Sequence, residues 1–445
     1  MWTDALGNIV SLQHAGSLAG LNDFVEGFIA SQSRVANILE TAAVDEAPLV
    51  QAYAAALHMF AETGAASANA RPFIAKALAS PLQATLRESA FVAAVHAWVD
   101  GDVLRSAAML EQHLRDHPRD LVALKLAHYH LFNLGDSPGM LRLALGCLPH
   151  AADVPYLHGM LAFAWEQCHL LEHAEASARR AIAMERREPW AHHAMAHVML
   201  TQGRIGEGHQ FLSEVSDSWE GLNSFMATHN WWHQGLFALE LERHDEVLDL
   251  YDKQVWGVAK DYSQDEVNAV SLLARLELAG GTVGDRWQDL ADHLQLHTDD
   301  QVLPFLDMQY LYGLARAGRP QADRMLRNIE THAGRVPSPL QHAWQKVCVP
   351  ASRGLLAHAH GDWQRAVNEL GQALPRLTEI GGSHAQRDLF AQVHLDALIR
   401  CGQLAAAQHL LQQQLRGQPE SLRLRRQAAG VYRSLGLGTI AAGLA

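Results

Sequence analysis

The sequence predicts an all-α protein built from stacked helix-turn-helix units. The first observation is a residue that recurs every 34 positions, each time between two stretches with helical apolar periodicity. This position is occupied by Gly101, Gly135, His169 and Gly203, and the interval returns at Gly402 and Gly436. A period of about 34 residues is typical of tetratricopeptide repeats, whose units stack because one unit alone cannot bury its apolar face.

The second observation is a small residue five places after the turn, where the two helices of a unit must pack closely. Gly361 is followed by Ala366, and Gly402 is followed by Ala407. Pro419 then falls where a proline should close the unit, because proline is tolerated at helix ends and disrupts helix interiors. No long strand-like alternation appears. We therefore predict a tetratricopeptide-like solenoid that is all α and curled into a superhelix.

The N-terminal element, residues 1–80, is alanine-rich and helical in pattern but shows no clear repeat. We expect helix breaks at Pro72 and Pro81. This segment is predicted to form a helical cap over the exposed first face of the array.

Residues 81–283 are predicted to form tetratricopeptide-like repeats with a segment rich in histidine and tryptophan, and residues 284–445 to form C-terminal repeats of the same continuous solenoid. The phase drifts in the second part, since Gly318 to Gly361 spans 43 residues and Gly361 to Gly402 spans 41. Such insertions lengthen connections between units. The second insertion contains Gly381, Gly382 and Ser383.

Composition limits the partners. Hydrophobic residues make up 49% and charged residues 19% of the chain, which is enough apolar material for a large core. The formal net charge of -13 disfavours binding to nucleic acid or to anionic membranes. Neither a secretory leader nor a membrane span is predicted, so we expect a cytoplasmic protein with reduced cysteines.

The stretch from Trp190 to Asp252 is the densest in unusual polar and aromatic residues. With Gly203 as the phase marker, Trp190, His193 and His197 fall at positions two, five and nine of the first helix of a unit, which line the inner groove. Residues four apart are neighbours on one helix face, with Cβ atoms roughly 5–6 Å apart. The two imidazoles are therefore expected to point the same way.

His229 and His233 repeat this spacing on the next first helix, with Trp231 and Trp232 between them. The helix phase at this point is defined only to within one residue. Either His229 with Trp232, or Asn230 with His233, is expected to face the groove most directly.

Four interpretations of these residues remain open. Two HxxxH pairs on adjacent helices can supply four nitrogens to a metal such as zinc, although neither pair shows the HExxH pattern. Histidines beside carboxylates such as Glu240, Asp245 or Asp388 can perform acid–base catalysis. Tryptophans and histidines can instead line a non-catalytic ligand pocket. They can also simply pack between repeats, each polar tip meeting a neighbouring helix.

The chain resembles the tetratricopeptide repeat protein 38 family, a group of divergent repeat proteins. The resembling segments are WAHHAMAHV at 190–198, HNWWH at 229–233, EVLDLYD at 246–252 and GGSHAQRDLF at 381–390. The resemblance implies a repeat fold rather than a particular reaction. Matching polar positions are His193, His197, His229, Asn230, Trp232, His233, Ser383, Gln386, Arg387 and Asp388.

The segment GGSHAQRD is the most informative of these. Ser383 is expected to cap a helix that begins nearby, so that Gln386, Arg387 and Asp388 project from its N-terminus. We hypothesise that this segment folds over the groove and brings Arg387 and Asp388 towards His229 and His233.

The predicted function is binding of a small polar or carboxylate-bearing molecule in a pocket lined by histidine and tryptophan, with hydrolysis or isomerisation as the reaction if there is catalysis. Ligand contacts are assigned to Trp190, His193, His197, Asn230, Trp232, Ser383, Gln386 and Arg387. Proton transfer is assigned to His229, His233 and Asp388. The alternatives are a scaffold that binds an extended peptide in the groove, and a metal-binding enzyme that uses the HxxxH pairs. The sequence identifies no cofactor.

Overall fold

The computed structural model describes residues 2–444, which fold almost entirely into helices joined by short turns. They divide into two compact units, one made of residues up to 194 together with 217–226, the other of residues 195–216 together with the chain from 227 onwards. The helices Pro189–Thr201 and Ser224–Glu240 each begin in the first unit and end in the second without interruption.

The first unit is built from helical hairpins preceded by a short strand pair. Trp2–Thr3 pairs antiparallel with Ile9–Val10, with Trp2 opposite Val10. The helices that follow are Ser17–Ala30, Ser33–Asn37 (3₁₀), Ile38–Val44, Pro48–Met59, Ala66–Ala79, Leu86–Val99, Val103–Asp116, Leu121–Asn133, Ser137–Ala151, Pro155–Gln167, Leu171–Met184 and Pro189–Thr201, with the 3₁₀ turn Ser216–Trp219 at the edge of this unit.

The second unit continues the hairpin pattern and contains two π-helical turns. Its elements are Ile205–Val215, Ser224–Glu240, His244–Leu250, Tyr251–Val255 (π), Ser263–Leu278, Arg286–Leu294, Gln295–His297 (3₁₀), Pro304–Arg316, Gln321–Ala333, Ser338–Ala343, Trp344–Cys348 (π), Val349–Ala359, Trp363–Ala373, Leu374–Ile380 (3₁₀), His384–Arg400, Leu404–Gly417, Leu422–Ser434 and Gly438–Ala442. These elements confirm the all-α tetratricopeptide-like repeat fold.

The turn positions have the backbone that their period predicts. Gly101, Gly135, Gly203 and Gly402 all have φ between 71° and 85°, in the left-handed region that glycine adopts without a steric penalty. His169 takes the same conformation with φ of 57° although it carries a Cβ. The helical hairpin therefore keeps its turn geometry even where the sequence does not supply glycine.

One predicted break is wrong. Pro72 lies inside the helix Ala66–Ala79, whereas the helix ends near Pro81 as expected. Pro72 is exposed, so water can satisfy the carbonyl oxygen one turn earlier that loses its amide partner. The small strand pair at the N-terminus is a second feature that the helical pattern does not predict.

The C-terminal helices of the second unit return to the beginning of the same unit. Gln418 donates from Nε2 to the carbonyl oxygen of Leu200 at 2.8 Å. The Arg423 guanidinium meets the Glu240 carboxylate at 2.7 Å, and both groups are buried. A Cβ on Gly203 would lie 2.6 Å from the Gly417 carbonyl oxygen, so the turn and the C-terminal segment touch backbone to backbone.

Crossing a bilayer requires a helix of about 20 predominantly apolar residues. None of the helices within residues 2–444 combines that length with that composition.

Candidate functional site

Four buried histidines on two helices bring their ring nitrogens together. His193 and His197 lie one turn apart on Pro189–Thr201, and His229 and His233 lie one turn apart on Ser224–Glu240. One nitrogen from each ring lies within 4.8 Å of the corresponding nitrogens of the others. All four residues are at most 3% exposed. The cluster therefore takes one histidine from each of the two helix phases that the sequence left open.

Edge contacts between the rings hold the cluster together in the second unit. The centroids of His197 and His233 are 4.5 Å apart, and those of His229 and His233 are 5.0 Å apart, both with steeply inclined planes. In such T-shaped pairs the edge of one ring meets the face of the other. The convergence of the nitrogens is shown by their distances and not by the inclination of the rings.

Trp232 supports one ring of the cluster from behind. Its indole stacks on His229 with centroids 5.0 Å apart and planes inclined by 11°. Its Nε1 donates to Ser271 Oγ at 3.2 Å, and the Arg275 guanidinium carbon lies 5.5 Å from the ring centroid. The side chain is fully buried, so protein groups occupy the surface that was expected to stack on a ligand.

Trp190 is different because it is only half-buried. Its ring meets His193 edge-on with centroids 5.3 Å apart, and its Nε1 donates to Ser31 Oγ at 3.0 Å. Phe163 contacts the same imidazole at 5.0 Å. Of the two tryptophans assigned to ligand contacts, Trp190 is the one that keeps accessible surface.

Burial keeps the His229 imidazole neutral. Removal from water lowers the pKa of His229 to about 3, with the hydrogen bond to Asn268 acting in the opposite direction and the charge of His197 in the same direction. At neutral pH this ring therefore carries a single proton and one unprotonated nitrogen, which is the form that binds metals.

Asn230 directly follows His229 in the sequence and is fully buried. Neither its Oδ1 nor its Nδ2 has a hydrogen-bond partner among residues 2–444, although the residue is fully buried. A buried amide left without partners costs about 1–3 kcal/mol, which a bound polar group would offset. Asn230 therefore remains a candidate ligand contact.

The segment before helix His384–Arg400 forms the predicted cap. Ser383 Oγ accepts from the Gln386 backbone amide, and the Gln386 side chain accepts from the Ser383 amide at 2.8 Å. Both polar side chains thus satisfy the helix start. The Arg387 guanidinium folds back onto the carbonyl oxygens of Gly381 and Gly382. These contacts explain the residue types in the segment without a ligand.

Asp388 is not part of the imidazole cluster. Its carboxylate accepts from Gln392 at 2.6 Å and lies 4.0 Å from Arg275, and its side chain is partly exposed. Arg275 also donates to the carbonyl oxygen of Ala385. Arg275 thus lies between Asp388 and Trp232. The approach of Arg387 and Asp388 to His229 and His233 stays a prediction.

Glu240, one of the carboxylates expected to tune the histidines, is engaged by other residues. Glu240 pairs with Arg423 and accepts from Ser421, so its charge is used in the return of the C-terminal helices. Among residues 2–444, the cluster of ligand-type groups around these imidazoles contains no carboxylate or thiolate.

Sequence reasoning missed the helix Ser263–Leu278, which supplies most of the polar contacts behind the site. Almost every residue of this helix is buried, yet polar side chains recur along it at spacings of three, three and four. This stripe consists of Asp265, Asn268, Ser271 and Arg275. Such a polar stripe at helical period within an otherwise apolar segment is the signal that could have identified it.

The solved structures that are similar to this chain have low sequence identity and TM-scores below 0.5. No protein-family model matches the chain. The human IFIT1 dimer with PPP-AAAA is similar at 12% identity over 85% of both chains, with a TM-score of 0.41. The P58(IPK) TPR domain is similar at 10% identity over 72% of this chain and 99% of that one, with a TM-score of 0.21. The Cut9–Hcn1 hetero-tetramer of APC/C is similar at 12% identity, covering 85% and 89%, with a TM-score of 0.21.

At these identities the similarity concerns the repeat fold alone. The repeat fold rests on the helical hairpins described above, and the resemblance to the tetratricopeptide repeat protein 38 family stays a prediction.

Proposed function

We propose that this protein is a metal-binding helical repeat protein in which His193, His197, His229 and His233 hold one first-row transition-metal ion. The observation that carries the proposal is the convergence of four buried ring nitrogens within 4.8 Å of one another. Packing alone does not require four polar edges to meet at one point, since each buried imidazole could be satisfied separately by a neighbouring helix.

The spacing of the nitrogens suits such an ion. Four nitrogens bound tetrahedrally at about 2.0–2.1 Å from zinc lie about 3.4 Å from one another. A cluster already closed to 4.8 Å needs only small changes of side-chain torsion to reach that arrangement. The two histidines on each helix are fixed relative to each other by the helix itself, which limits the entropy lost on binding.

The donor set selects the class of metal. Imidazole nitrogen suits zinc, copper, nickel, cobalt and iron(II), whereas calcium and magnesium require oxygen ligands. Four neutral imidazoles leave both positive charges of a divalent ion uncompensated in a buried place. The bound ion therefore favours expansion from four to five ligands by an anion, which agrees with the carboxylate-bearing molecule predicted from the sequence. Half-buried Trp190 supplies apolar surface for the body of such a molecule.

The test is metal content and affinity of the full-length chain purified without a histidine tag. We expect about one equivalent of zinc or cobalt per chain. Because metal binding to four ligands is worth about 10–16 kcal/mol in structural zinc sites, loss of one ligand removes about 3 kcal/mol. His233→Ala should therefore weaken affinity roughly 100-fold, and zinc should no longer raise the melting temperature.

His192→Gln is the matched control. His192 is next to His193 on the same helix and equally buried, but its Nδ1 accepts from Trp219 Nε1 at 3.2 Å and it does not join the cluster. Its substitution should leave the affinity unchanged. Failure of the unmodified protein to bind any of these ions would overturn the proposal and favour a metal-free ligand pocket or a peptide scaffold.

A further inference from the structure

The polar stripe on helix Ser263–Leu278 meets helix Ser224–Glu240 turn by turn. Thr228 contacts Asp265, His229 contacts Asn268, and Trp232 contacts Ser271. The order is the same along both helices, as expected for the parallel first helices of successive repeat units. Each of these polar groups on the histidine-bearing helix is therefore matched to a particular partner.

These contacts form a chain of hydrogen bonds with a single consistent direction. The Thr228 hydroxyl donates to an Asp265 carboxylate oxygen, which can only accept when ionised. Thr228 Oγ1 then accepts from Asn268 Nδ2 at 3.5 Å. With its amide nitrogen turned to Thr228, Asn268 presents Oδ1 to His229 Nδ1 at 3.0 Å.

The direction of this chain determines which nitrogen of His229 bears the proton. Asn268 Oδ1 has no hydrogen to give, so His229 Nδ1 must be the donor. In the neutral ring the unprotonated nitrogen is then Nε2. All three partners, Thr228, Asn268 and Asp265, are at most 1% exposed, so water does not compete for these bonds.

We propose that Asn268 is a positioning residue of the metal site, which fixes His229 in the Nδ1-protonated tautomer and so presents Nε2 to the ion. Thr228 and Asp265 hold Asn268 in turn. This inference rests on the proposed function. Partners of this kind orient metal-binding histidines and their loss typically weakens metal affinity 10–100-fold.

The experiment measures cobalt(II) affinity and the cobalt absorption spectrum of the full-length protein for two substitutions of one residue. Asn268→Leu removes the acceptor at nearly constant volume and should weaken affinity about 10–100-fold with a changed spectrum. Asn268→Asp keeps an oxygen acceptor towards His229 but gives up the donor to Thr228, so it should weaken affinity by less than about 10-fold and keep the original spectrum. The difference between the two reports the acceptor and not the packing.

Ser106→Ala is the matched control, because Ser106 Oγ lies 3.2 Å from Nε2 of His130, a buried histidine outside the cluster. It should leave cobalt affinity unchanged. Equal affinity of Asn268→Leu and the unmodified protein would overturn the positioning role and leave the proposed function standing. Equal loss in both Asn268 substitutions would also overturn it, since a structural role would then suffice.

If Asn268→Leu does not fold, Thr228→Val tests the same role through the next hydrogen bond of the series. It removes the hydroxyl that orients Asn268 and should weaken affinity by a smaller factor, about 2–10-fold. No change in Thr228→Val would then count against the inference. An unmodified protein that binds neither cobalt nor zinc contradicts the proposed function itself, which separates the two failures.

Discussion

Asp120 shows how a single buried charge is held in the first unit. Its carboxylate lies 2.6 Å from Arg87 and 3.0 Å from His113, and it also caps the helix Leu121–Asn133 by accepting from the Ala123 amide. Burial acts to raise the pKa of Asp120, but the hydrogen bond from His113 and the charge of Arg87 more than offset it and hold the pKa well below its usual range.

Asp120→Asn should destabilise the protein by about 3–5 kcal/mol, because it leaves the buried Arg87 without its countercharge. A carboxyl group whose pKa is lower in the folded chain stabilises it above the unfolded pKa of about 3.9, and this contribution is lost as the pH falls below that value. Asp120→Asn lacks this contribution at every pH and so has a smaller free energy of unfolding. Acid unfolding, measured by circular dichroism, should therefore begin at a higher pH in the variant than in the unmodified protein.

Asp153→Asn provides the comparison, since Asp153 pairs with Arg119 at 2.7 Å at the surface. Exposed pairs contribute about 0.2–1 kcal/mol, so this variant should stay within about 1 kcal/mol of the unmodified protein. Equal losses for the two variants would contradict the assignment of Asp120 to a buried network.

At the candidate site, the sequence predicts which histidines share a helix face but not which residues surround them. The i,i+4 spacing of His193 with His197 and of His229 with His233 follows from helix geometry alone. The partner of His229 does not, because Asn268 is 39 positions away and its contact depends on how two helices cross. The contacts of Arg387 with local carbonyl oxygens and of Asp388 with Arg275 are likewise not readable from the sequence, because they depend on the folded backbone.

The turn of each helix-turn-helix element requires a residue whose backbone is in the left-handed region. Gly101 has φ of 85°, with no atom close to the place where a Cβ would stand. Alanine at position 101 would be strained by its positive φ but would not clash with a neighbouring atom. Its effect on stability therefore measures the conformational cost alone. Gly146 has equally open surroundings but lies inside the helix Ser137–Ala151.

Gly101→Ala should therefore destabilise the protein by about 1–2 kcal/mol, whereas Gly146→Ala should stabilise it by up to about 1 kcal/mol, measured by urea unfolding of the full chain. The same substitution thus changes sign with its place in the element. Two effects of the same sign would mean that the turn does not need its left-handed residue.

The fold is largely predictable at the level of elements because turn spacing and helix period are local properties. The 34-residue period alone is enough to locate the turns at Gly101, Gly135 and Gly203. The π-helical turns Tyr251–Val255 and Trp344–Cys348 are not predictable in this way, since each is a single turn that no recurring residue marks. The break expected at Pro72 is absent because an exposed helix position tolerates what an interior one does not.

At the scale of the whole second unit, a few contacts join its last helices to its first. The Arg423 guanidinium and the Glu240 carboxylate are both nearly inaccessible, and Ser421 donates to the same carboxylate. Sequence periodicity gives no information on this return, because the paired residues are 183 positions apart.

Arg423→Leu should cost about 3–5 kcal/mol, because Glu240 remains buried without its partner. Combining it with Glu240→Leu should recover part of the loss, since the uncompensated charge is then removed. Arg324→Leu, which breaks the exposed pair with Asp299, should change stability by at most about 1 kcal/mol. Chemical unfolding of these variants and of Glu240→Leu alone checks this, and additive losses in the double variant would contradict direct pairing.

The approach of Gly417 to Gly203 carries a consequence for how this protein can diversify. Open arrays gain or lose whole repeats with little penalty because each repeat contacts only its neighbours. Here a duplicated 34-residue segment between those two glycines would move them apart and expose both the Leu200 carbonyl and the Glu240 carboxylate. We expect the number of repeats in this part of the chain to be fixed, so that descendants of this gene vary in loop length and not in repeat number.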